Sequence, residues 1–443
     1  MSCGAAPEFT SRTGTFRKDG RVRILVALHT LALGGGITAI DLAAGAAAEG
    51  HEVMIYGVPG PLTDTIEKKG LRFVPARPLR YRPAPSRIGQ LFRLARRERL
   101  DLIHAYEWPP CLDAYFGATF LNGTPLVCTV YSMEVPPYVP RSVPLIMGTR
   151  ALRDEAAAAG YRYPWLLEPP IDLSRDDPAL VTQDFRADLE IPADAPLVVC
   201  TSRLALNAKL ESLVEAMDAV DVVATDIPVR FVIIGDGDAA EVLRARGEAI
   251  NRRHGRTVIT LPGAVADTRG AYRAADVVVG MGSSILRGLA FGRPVIVQGE
   301  QGFAQTFTRE TSEMFLRQGM WGLGPGTPVV ASFAAQLRAL LSSPDRRREL
   351  GTFGRQIVEE HFSLTGAVRR QLDLYEQTLA LPPRRHPVEA AQVGGLALQL
   401  EWRLHDPRRK RARAEAARRR YDEARAIAAL PAEDEAPRVA PDR

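Results

Sequence analysis

The sequence has little of what a secreted or membrane-spanning protein needs. Its four cysteines, Cys3, Cys111, Cys128 and Cys200, lie far apart, so it contains neither a CxxC pair nor a disulfide framework. The first 20 residues are polar and lack the apolar segment of a signal peptide. No apolar run reaches the roughly 18–20 residues of a membrane span. We therefore expect a cytoplasmic protein with reduced cysteines.

An excess of charge of one sign is also lacking over most of the chain. The net charge is +5, and the segment from Leu381 onward accounts for +4 of it, with 14 Lys/Arg against 10 Asp/Glu. The remaining body is therefore nearly neutral and offers no basic surface for a nucleic acid. Hydrophobic residues make up 46% of the 443 residues, which is enough for two globular domains.

The most informative segment is residues 274–303, AADVVVGMGSSILRGLAFGRPVIVQGEQGF. The unbroken β-branched run 277–279 predicts a strand that is buried on both faces. Gly280 and Gly282 follow it, where glycine allows close approach of a ligand and the start of a short helix favours an anion. A second strand ends in another glycine-bearing turn, residues 299–302. Ligands bind at the carboxyl ends of strands in open α/β sheets, so the segment predicts a nucleotide-binding edge.

The N-terminal half begins with a strand, a glycine-rich loop, a helix and a second strand. The apolar run 22–30 predicts the first strand, Gly34, Gly35 and Gly36 form the loop, and residues 51–56 form the second strand. This order is typical of the start of a Rossmann-like domain. We predict further strands at 71–76, 100–105, 125–131 and 144–149, and helices near 86–98 and 110–120.

A Pro- and Asp-rich linker, residues 162–178, precedes a second α/β half. That half is predicted to form a parallel sheet from strands at 196–202, 229–237, 257–261, 276–279 and 294–297. Helices are predicted at 211–220, within 350–380 and, in the charged C-terminal segment, at 406–430. The predicted organisation is a disordered lead (1–20), an N-terminal domain (21–172), a C-terminal domain (173–365), a closing helix that returns to the N-terminal domain (366–383) and a basic helical or disordered tail (384–443).

Two cations follow the first strand of the second half. Arg203 and Lys209 stand in SRLALNAKL, where two charges beside helix N–H donors suit a diphosphate. The alternative is a pair of solvated surface cations. Gly235 and Gly237 end the next strand at the same predicted edge, which favours the diphosphate.

Five sequence marks in this half occur together and in order. They are SRL…K at 202–209, FVIIGDG at 231–237, ITLPGAV at 259–265, YRAADVVV at 272–279 and LAFGRPVIV at 289–297. With these marks, residues 22–380 resemble the retaining glycosyltransferases of the GT-B fold, of the glycosyltransferase family 4 type. The resemblance implies two Rossmann-like α/β domains with a cleft between them. It also implies transfer from a nucleoside-diphosphate sugar with retained configuration, without a metal or other cofactor.

The resemblance assigns roles to individual residues. Arg203 and Lys209 would neutralise the leaving diphosphate, as fixed cations must do where no metal ion assists. Tyr131 stands where the family has a histidine that contacts the sugar near the reaction centre. The predicted donor-binding residues are Gly35, Gly36, Gly235, Gly237, Ala264, Val265, Gly282, Ser283, Arg287, Glu300, Gln301, Gly302 and Phe303.

The chain also departs from the family's pattern at two glutamates, which stand eight residues apart in the family. Their places are taken by Val279 and Arg287. The second glutamate accepts ribose hydroxyls, whereas arginine can only donate hydrogen bonds. Glu300 would supply a replacement carboxylate, or it is a solvated turn residue. Arg287 would meet an extra anionic group on an unusual donor, or it forms an ion pair at a vestigial site.

His104, in HAYEW after a predicted strand, is the remaining candidate. It would position an acceptor hydroxyl or transfer a proton, with a purely structural histidine as the alternative. Two functions therefore stay open. One is a glycosyltransferase acting on a small-molecule, lipid-linked or glycan acceptor. The other is a catalytically silent relative that serves as a partner or scaffold of another enzyme.

The basic tail has several interpretations. It is a solvated helix, or it contacts an acidic protein or an anionic membrane surface, which would place the protein at the inner membrane face. Nucleic-acid binding is disfavoured because Trp402 and Tyr421 are the only aromatic residues there.

Overall fold

The computed structural model describes most of the chain, and the described residues form two compact units. They are residues 20–29, 31, 35–77, 82–207, 209–327, 329–382 and 386–429. The first unit contains the described residues up to Pro170 together with Leu364–His405. The second contains Ile171–Ser363 and the described residues from Asp406. The division after Pro170 falls inside the predicted linker, residues 162–178.

The first unit is built on a seven-stranded parallel sheet. Its strands are β1 (Arg23–Leu28), β2 (Glu52–Gly57), β3 (Arg72–Pro75), β4 (Leu102–Tyr106), β5 (Leu126–Val130), β6 (Leu145–Met147) and β7 (Pro164–Leu166). Their order is β3-β2-β1-β4-β5-β6-β7. Strands β4 and β5 are wholly buried, because helices cover both faces of a parallel sheet. The sequence analysis missed β7, which is a three-residue, half-buried edge strand that begins with proline.

Five helices of the first unit precede the linker. They are α1 (Gly35–Ala48), α2 (Thr63–Lys68), α3 (Pro85–Arg97), α4 (Trp108–Ala114), which continues as a π-helical segment (Tyr115–Phe120), and α5 (Arg150–Ala158). The predicted helices near 86–98 and 110–120 are confirmed. The analysis missed α2 and α5, which are short and bury only one and two residues, so they show little apolar periodicity.

The second unit contains a six-stranded sheet. Its strands are β8 (Leu197–Thr201), β9 (Arg230–Ile234), β10 (Ile259–Gly263), β11 (Val277–Gly280), β12 (Val295–Gln298) and β13 (Ala304–Thr306), in the order β10-β9-β8-β11-β12-β13. The five predicted strands, β8 to β12, are parallel as predicted, and a sixth strand that was not predicted, β13, pairs antiparallel with β12. The turn after β12 is short, and a short connection reverses the chain, whereas a parallel neighbour needs a long crossover.

The helices of the second unit lie on both sides of its sheet. They are α6 (Phe185–Asp188), α7 (Leu210–Val223), α8 (Ala240–His254), α9 (Arg269–Ala274), α10 (Ser283–Ala290), α11 (Arg309–Gln318), α12 (Val330–Leu341) and α13 (Pro344–His361), with a 3-10 turn at Pro178–Leu180. Two apolar clusters result, one under α7 and α12 and the other under α10 and α13. The prediction of two Rossmann-like α/β units is confirmed.

Three helices follow: α14 (Leu364–Ala380), α15 (Pro387–His405) and α16 (Pro407–Ala429). The first two belong to the first unit, and α16 packs beside α8 in the second. The part of the predicted basic tail that forms α15 is therefore no solvated segment. It buries Ala390, Val393, Ala397 and Glu401 in the first unit. The predicted lead lies outside the described residues except for Gly20, as do residues 430–443. No helix of the described ranges is long and apolar enough to cross a membrane.

Candidate active site

Each sheet reverses its strand order at one point, and this fixes where a ligand is expected. In the second unit the reversal lies between the parallel neighbours β8 and β11. Connections to either side leave a crevice outside the carboxyl ends of these strands. The predicted cations follow β8, and the predicted glycines follow β9 and β11. The fold of this unit therefore brings both groups of predicted residues to one edge.

Lys209 is the better enclosed of the two cations. It stands at the N-cap of α7, half-buried, while Arg203 is exposed in the loop after β8. Burial lowers the pKa of the Lys209 ammonium, and Arg203 lowers it further, while Cys200 and the Glu300 carboxylate raise it. Desolvation and a neighbouring cation both disfavour the charged form, so an anionic ligand would relieve Lys209 of an unfavourable environment.

Gly235 and Gly237 are required by the close approach of the loop after β8. Their φ angles are +149° and +156°. A Cβ at Gly235 would lie 1.8 Å from the Ser202 carbonyl oxygen, and one at Gly237 would lie 2.2 Å from that of Leu204. The amides of Ser202 and Leu204 donate in turn to the carbonyls of Ile234 and Asp236, both at 3.0 Å. These glycines therefore fix the loop that carries Arg203.

The turn into α10 is open at its surface. Gly282 is exposed with φ +65°, and nothing lies within 4 Å of the position that a Cβ would take there. Its amide donates to the Met320 carbonyl at 2.6 Å. Ser283 is also exposed at the first position of the helix. The start of α10 thus presents backbone to solvent beside β8, as an anion-binding helix start requires.

The turn after β12 is held by backbone hydrogen bonds. The Glu300 amide donates to the Gly322 carbonyl at 3.0 Å, and its carbonyl accepts from Gly324 at 2.9 Å. Gln301 is exposed and adopts φ +56°, a strained value for a residue other than glycine. Gly302 is buried against the Thr327 backbone. A Cβ at this position would lie 2.0 Å from the Thr327 carbonyl oxygen, so a larger residue would clash there.

Three other predicted residues of the second unit, Ala264, Val265 and Phe303, lie beside this edge or in the core beneath it. The Phe303 ring packs edge-on against Phe315 and is part of the core. Ala264 is exposed after β10, and Val265 beside it is half-buried against the same core. In the sheet, β9 separates β10 from β8. A ligand bound at β8 must therefore extend across β9 to reach Ala264.

Arg287 has a carboxylate partner within its own unit. Its Nε lies 3.3 Å from Oδ2 of Asp176, whose side chain is only 1% exposed. Arg175 approaches the other oxygen of Asp176, also at 3.3 Å. A buried carboxylate needs such partners, because the charged form is costly to desolvate. The arrangement gives Arg287 a structural role, while its 30% exposed side chain still faces solvent.

We expect Arg287→Glu to destabilise the second unit by about 1–3 kcal/mol, because it leaves Asp176 buried beside a second carboxylate. Urea unfolding followed by circular dichroism measures this. The matched double variant Asp176→Asn with Arg287→Glu should recover most of the loss, since the buried charge is then removed. If Arg287→Glu is as stable as the parent and gains turnover with common nucleotide sugars, the ion pair is not structural and the position is a drifted family glutamate.

In the first unit, Tyr131 and Gly35 come together at the carboxyl edge of the sheet. The position that a Cβ would take at exposed Gly35 is 3.9 Å from Cδ2 of Tyr131, and Gly36 follows in the first turn of α1. The Tyr131 hydroxyl is buried and has no hydrogen-bond partner among the described residues. Burial raises its pKa, so the phenol is protonated at neutral pH and can donate.

His104 is not available to a ligand, contrary to its proposed role in positioning a hydroxyl or transferring a proton. It is 0% exposed in the middle of β4. Its ring nitrogens are hydrogen-bonded, Nδ1 to the Tyr375 hydroxyl and Nε2 to Thr129 Oγ1, both at 2.7 Å. The structural alternative therefore applies. The side chain was misjudged because alternate strand residues face the interior, and no sequence mark shows which face α14 covers.

Burial lowers the pKa of His104 from 6.5 to about 3. A histidine that is neutral in the folded state contributes stability that is fully present above pH 6.5 and is lost as the pH falls from 6.5 towards 3. The expected loss from this group is at most about 1.4 kcal/mol per pH unit. In His104→Gln, which cannot titrate, the urea midpoint should change less over this window than in the parent protein. Equal pH profiles would contradict the burial of a neutral imidazole.

Two family models match the chain. That described as Glycosyltransferase Family 4 matches residues 33–165, and that described as Glycosyl transferases group 1 matches residues 195–343. The chain belongs to the GT-B glycosyltransferases. No curated protein sequence matches it significantly.

Solved structures show the same fold as this glycosyltransferase at low identity. A glycosyltransferase from Rickettsia africae has a TM-score of 0.66 and 17% identity, covering 81% of this chain and 99% of the other. Anabaena Alr3699/HepE in complex with UDP has a TM-score of 0.62 and 15% identity, covering 80% and 100%. Sucrose-phosphate synthase from Thermosynechococcus elongatus has a TM-score of 0.59 and 19% identity, covering 81% and 99%.

The sequence analysis missed His29 of this glycosyltransferase. It follows β1 directly, and its Nδ1 is buried without a hydrogen-bond partner among the described residues. Burial lowers its pKa, and the nearby Arg82 and Arg87 lower it further, so the imidazole is neutral. Its place at the carboxyl end of a central strand could have identified it, since the same rule identified Arg203.

Glu107 also marks this edge of the first unit. It follows β4 with φ +73°, and its carboxylate accepts hydrogen bonds from the Tyr131 amide at 3.0 Å and the Ser132 hydroxyl at 3.3 Å. Burial raises its pKa. The carboxylate thus joins the ends of β4 and β5. The positive φ of Glu107 is a strained conformation of the kind that clusters at functional sites. No sequence pattern indicates that conformation.

Proposed function

We propose that this glycosyltransferase binds a nucleoside-diphosphate sugar in its second unit and transfers the sugar with retained configuration, without a metal ion. The observation that carries the proposal is the half-buried Lys209 beside Arg203, at the strand-order reversal of a sheet whose glycine turns leave the backbone open. Solved structures of Anabaena HepE, which shares the fold, contain UDP and UDP-glucose.

Lys209 and Arg203 would stabilise the two negative charges that develop on the departing diphosphate. Fixed cations and backbone donors are worth most where the charge appears only in the transition state. The exposed backbone at Gly282 and Ser283 would add helix N–H donors to the same group. Glu300, which raises the pKa of Lys209, would keep that lysine charged before the donor arrives.

The remaining predicted residues would contact the base and the sugar of the donor. Ala264 and Val265 would meet the base across β9, while Glu300 and Gln301 would approach the sugar. The acceptor would contact the first unit near Tyr131, whereas Gly35 and Gly36 would border the donor. The neutral phenol of Tyr131 and the neutral imidazole of His29 offer hydrogen bonds to a hydroxyl acceptor without a fixed charge.

A thermal-shift titration with UDP, GDP, ADP and dTDP tests the donor assignment. A nucleotide that binds only the folded protein raises the melting temperature, and a concentration 100 times the Kd contributes about 2.7 kcal/mol. We expect a shift with one nucleotide class in the parent protein and a smaller shift at the same concentration in Lys209→Ala. The absence of any shift at millimolar concentrations would reject the donor site and favour the catalytically silent scaffold, or a donor with an additional anionic group.

The basic helix α16 is proposed to contact an anionic partner, a membrane surface or an acidic protein. Its described surface includes the exposed side chains of Arg408, Arg409, Lys410, Arg411 and Arg413. Each such cation near an anionic membrane contributes about 1 kcal/mol at low ionic strength. Membrane contact would suit a lipid-linked acceptor.

A further inference from the structure

A cavity lined by charged side chains lies in the second unit, away from the proposed donor edge. Its volume is about 610 Å³, and its lining includes Asp276, Arg293, Arg347, Arg348 and Arg355. Asp276 directly precedes β11, and Arg293 stands two residues before β12. Because these strands are parallel, the cavity lies at their amino ends, whereas Gly280 and Gln298 stand at their carboxyl ends.

The cavity concentrates positive charge around few carboxylates. Four arginines line it, and the acidic residues of its lining are Asp276 and Glu359. Asp276 forms ion pairs with both Arg186, at 3.1 Å, and Arg347, at 3.4 Å. Glu359 is engaged by Arg355 at 2.8 Å. The carboxylates of the lining are thus already shared, and Arg348 has its partner outside the lining, Asp345 at 3.1 Å.

Arg293 carries the least satisfied of these charges. Its Nε is buried and has no hydrogen-bond partner among the described residues, although another nitrogen donates to the Arg273 carbonyl. Burial lowers the pKa of Arg293, and Arg186, Arg273 and Arg347 lower it further, while Asp276 raises it. A buried donor without an acceptor costs free energy, and so does the crowding of like charges. An oxyanion in the cavity would accept a hydrogen bond from Nε and offset the repulsion between the arginines, so both free-energy costs would fall.

We propose that this arginine-lined cavity binds a small molecule through a phosphate or diphosphate group. Guanidinium groups match phosphate oxygens with paired N–H donors, and several of them can serve one phosphate at once. A volume of about 610 Å³ is within the usual range of small-ligand sites and exceeds what a single inorganic ion fills. The N-terminal turn of α13 also borders the cavity at Pro344 and adds the positive end of a helix.

The proposal does not depend on the donor site, and the experiment keeps the two apart. Calorimetric titration with inorganic pyrophosphate is carried out on full-length Lys209→Ala, in which the proposed diphosphate site of the donor is disabled. We expect saturable binding at one site in this background. Adding Arg348→Glu, at a side chain that is 74% exposed, should weaken the affinity at least tenfold. The matched control Arg338→Gln changes another arginine of the same unit that does not line the cavity, and it should leave the affinity unchanged.

A second variant covers the case in which Arg348→Glu fails to fold. Thr352→Glu places a carboxylate at the exposed lining position on α13. It should raise the melting temperature of the ligand-free protein by a few degrees and abolish pyrophosphate binding. Orthophosphate and glucose 6-phosphate are titrated in parallel. Tighter binding of orthophosphate indicates a site for a free inorganic anion, and tighter binding of glucose 6-phosphate indicates a site for the phosphate of an organic molecule. The proposal is overturned if Lys209→Ala binds no pyrophosphate at 10 times the parent Kd, or if Thr352→Glu and Arg348→Glu bind it as well as Arg338→Gln does.

Discussion

Lys209→Ala is expected to lower the rate of sugar transfer by about 100- to 1,000-fold while leaving the fold intact. Removing one preorganised group that stabilises transition-state charge typically has an effect of this size. Lys209 is half-buried beside Arg203 at the end of β8, so no water-exposed cation can replace it without moving the loop. Donor consumption in a coupled assay, measured at saturating donor, separates the rate of transfer from binding.

The control for this variant is Lys68→Ala, an exposed lysine of α2 in the first unit. Both variants should unfold within about 1 kcal/mol of the parent protein, because Lys68 is exposed and removal of the half-buried Lys209 ammonium also removes its cost of desolvation. Near-normal transfer by Lys209→Ala would remove the diphosphate assignment, because the leaving group would then depart without this cation.

Gly235→Ala is expected to destabilise the second unit by roughly 3 kcal/mol or more. The new Cβ would lie 1.8 Å from the Ser202 carbonyl oxygen, a backbone atom that cannot rotate away, and φ is +149°. Backbone strain and overpacking each contribute about 1–3 kcal/mol at such positions. The denaturant midpoint reports the loss of stability, and nucleotide affinity should fall as well because the loop carrying Arg203 must move.

Gly255→Ala provides the matched comparison in the same unit. Gly255 also has a positive φ, +61°, but nothing lies within 4 Å of its missing Cβ. Only the conformational cost of about 1–2 kcal/mol then applies. The difference between the two variants measures the clash together with the greater backbone strain of an alanine at φ +149°. Equal effects would show that the loop after β8 yields easily and is not held by Gly235.

The second-unit edge was predictable because its determinants are local in sequence. Gly280 and Gly282 follow a buried strand within five residues of it, and Arg203 follows another, so periodicity and the strand-end rule place them together. The partner of Arg287 was not predictable in this way. Asp176 lies in a segment without regular structure that the sequence indicates only as a linker, and the ion pair depends on how that segment folds back.

His104 and β13 illustrate two other limits. A strand pattern shows that alternate residues face opposite sides, but it cannot show that Tyr375, far along the chain, will cover the histidine. Strand β13 was not predicted for a different reason: its three residues are too few to show the period of a strand. The charge of the tail indicated solvent exposure for α15 as well. The buried apolar residues of α15 are Ala390, Val393 and Ala397, and three small side chains do not give a clear apolar face in the sequence.

The discontinuity of the first unit has a consequence for biosynthesis. Strands β1–β7 are synthesised before residues 171–363, and α14 and α15 follow only afterwards. At about 5–20 residues per second this interval lasts on the order of 10–40 s. During it, the surface of α1 that Val368 later covers, and His104 without Tyr375, stay unprotected. The first unit can therefore complete its core only after the second unit has been synthesised.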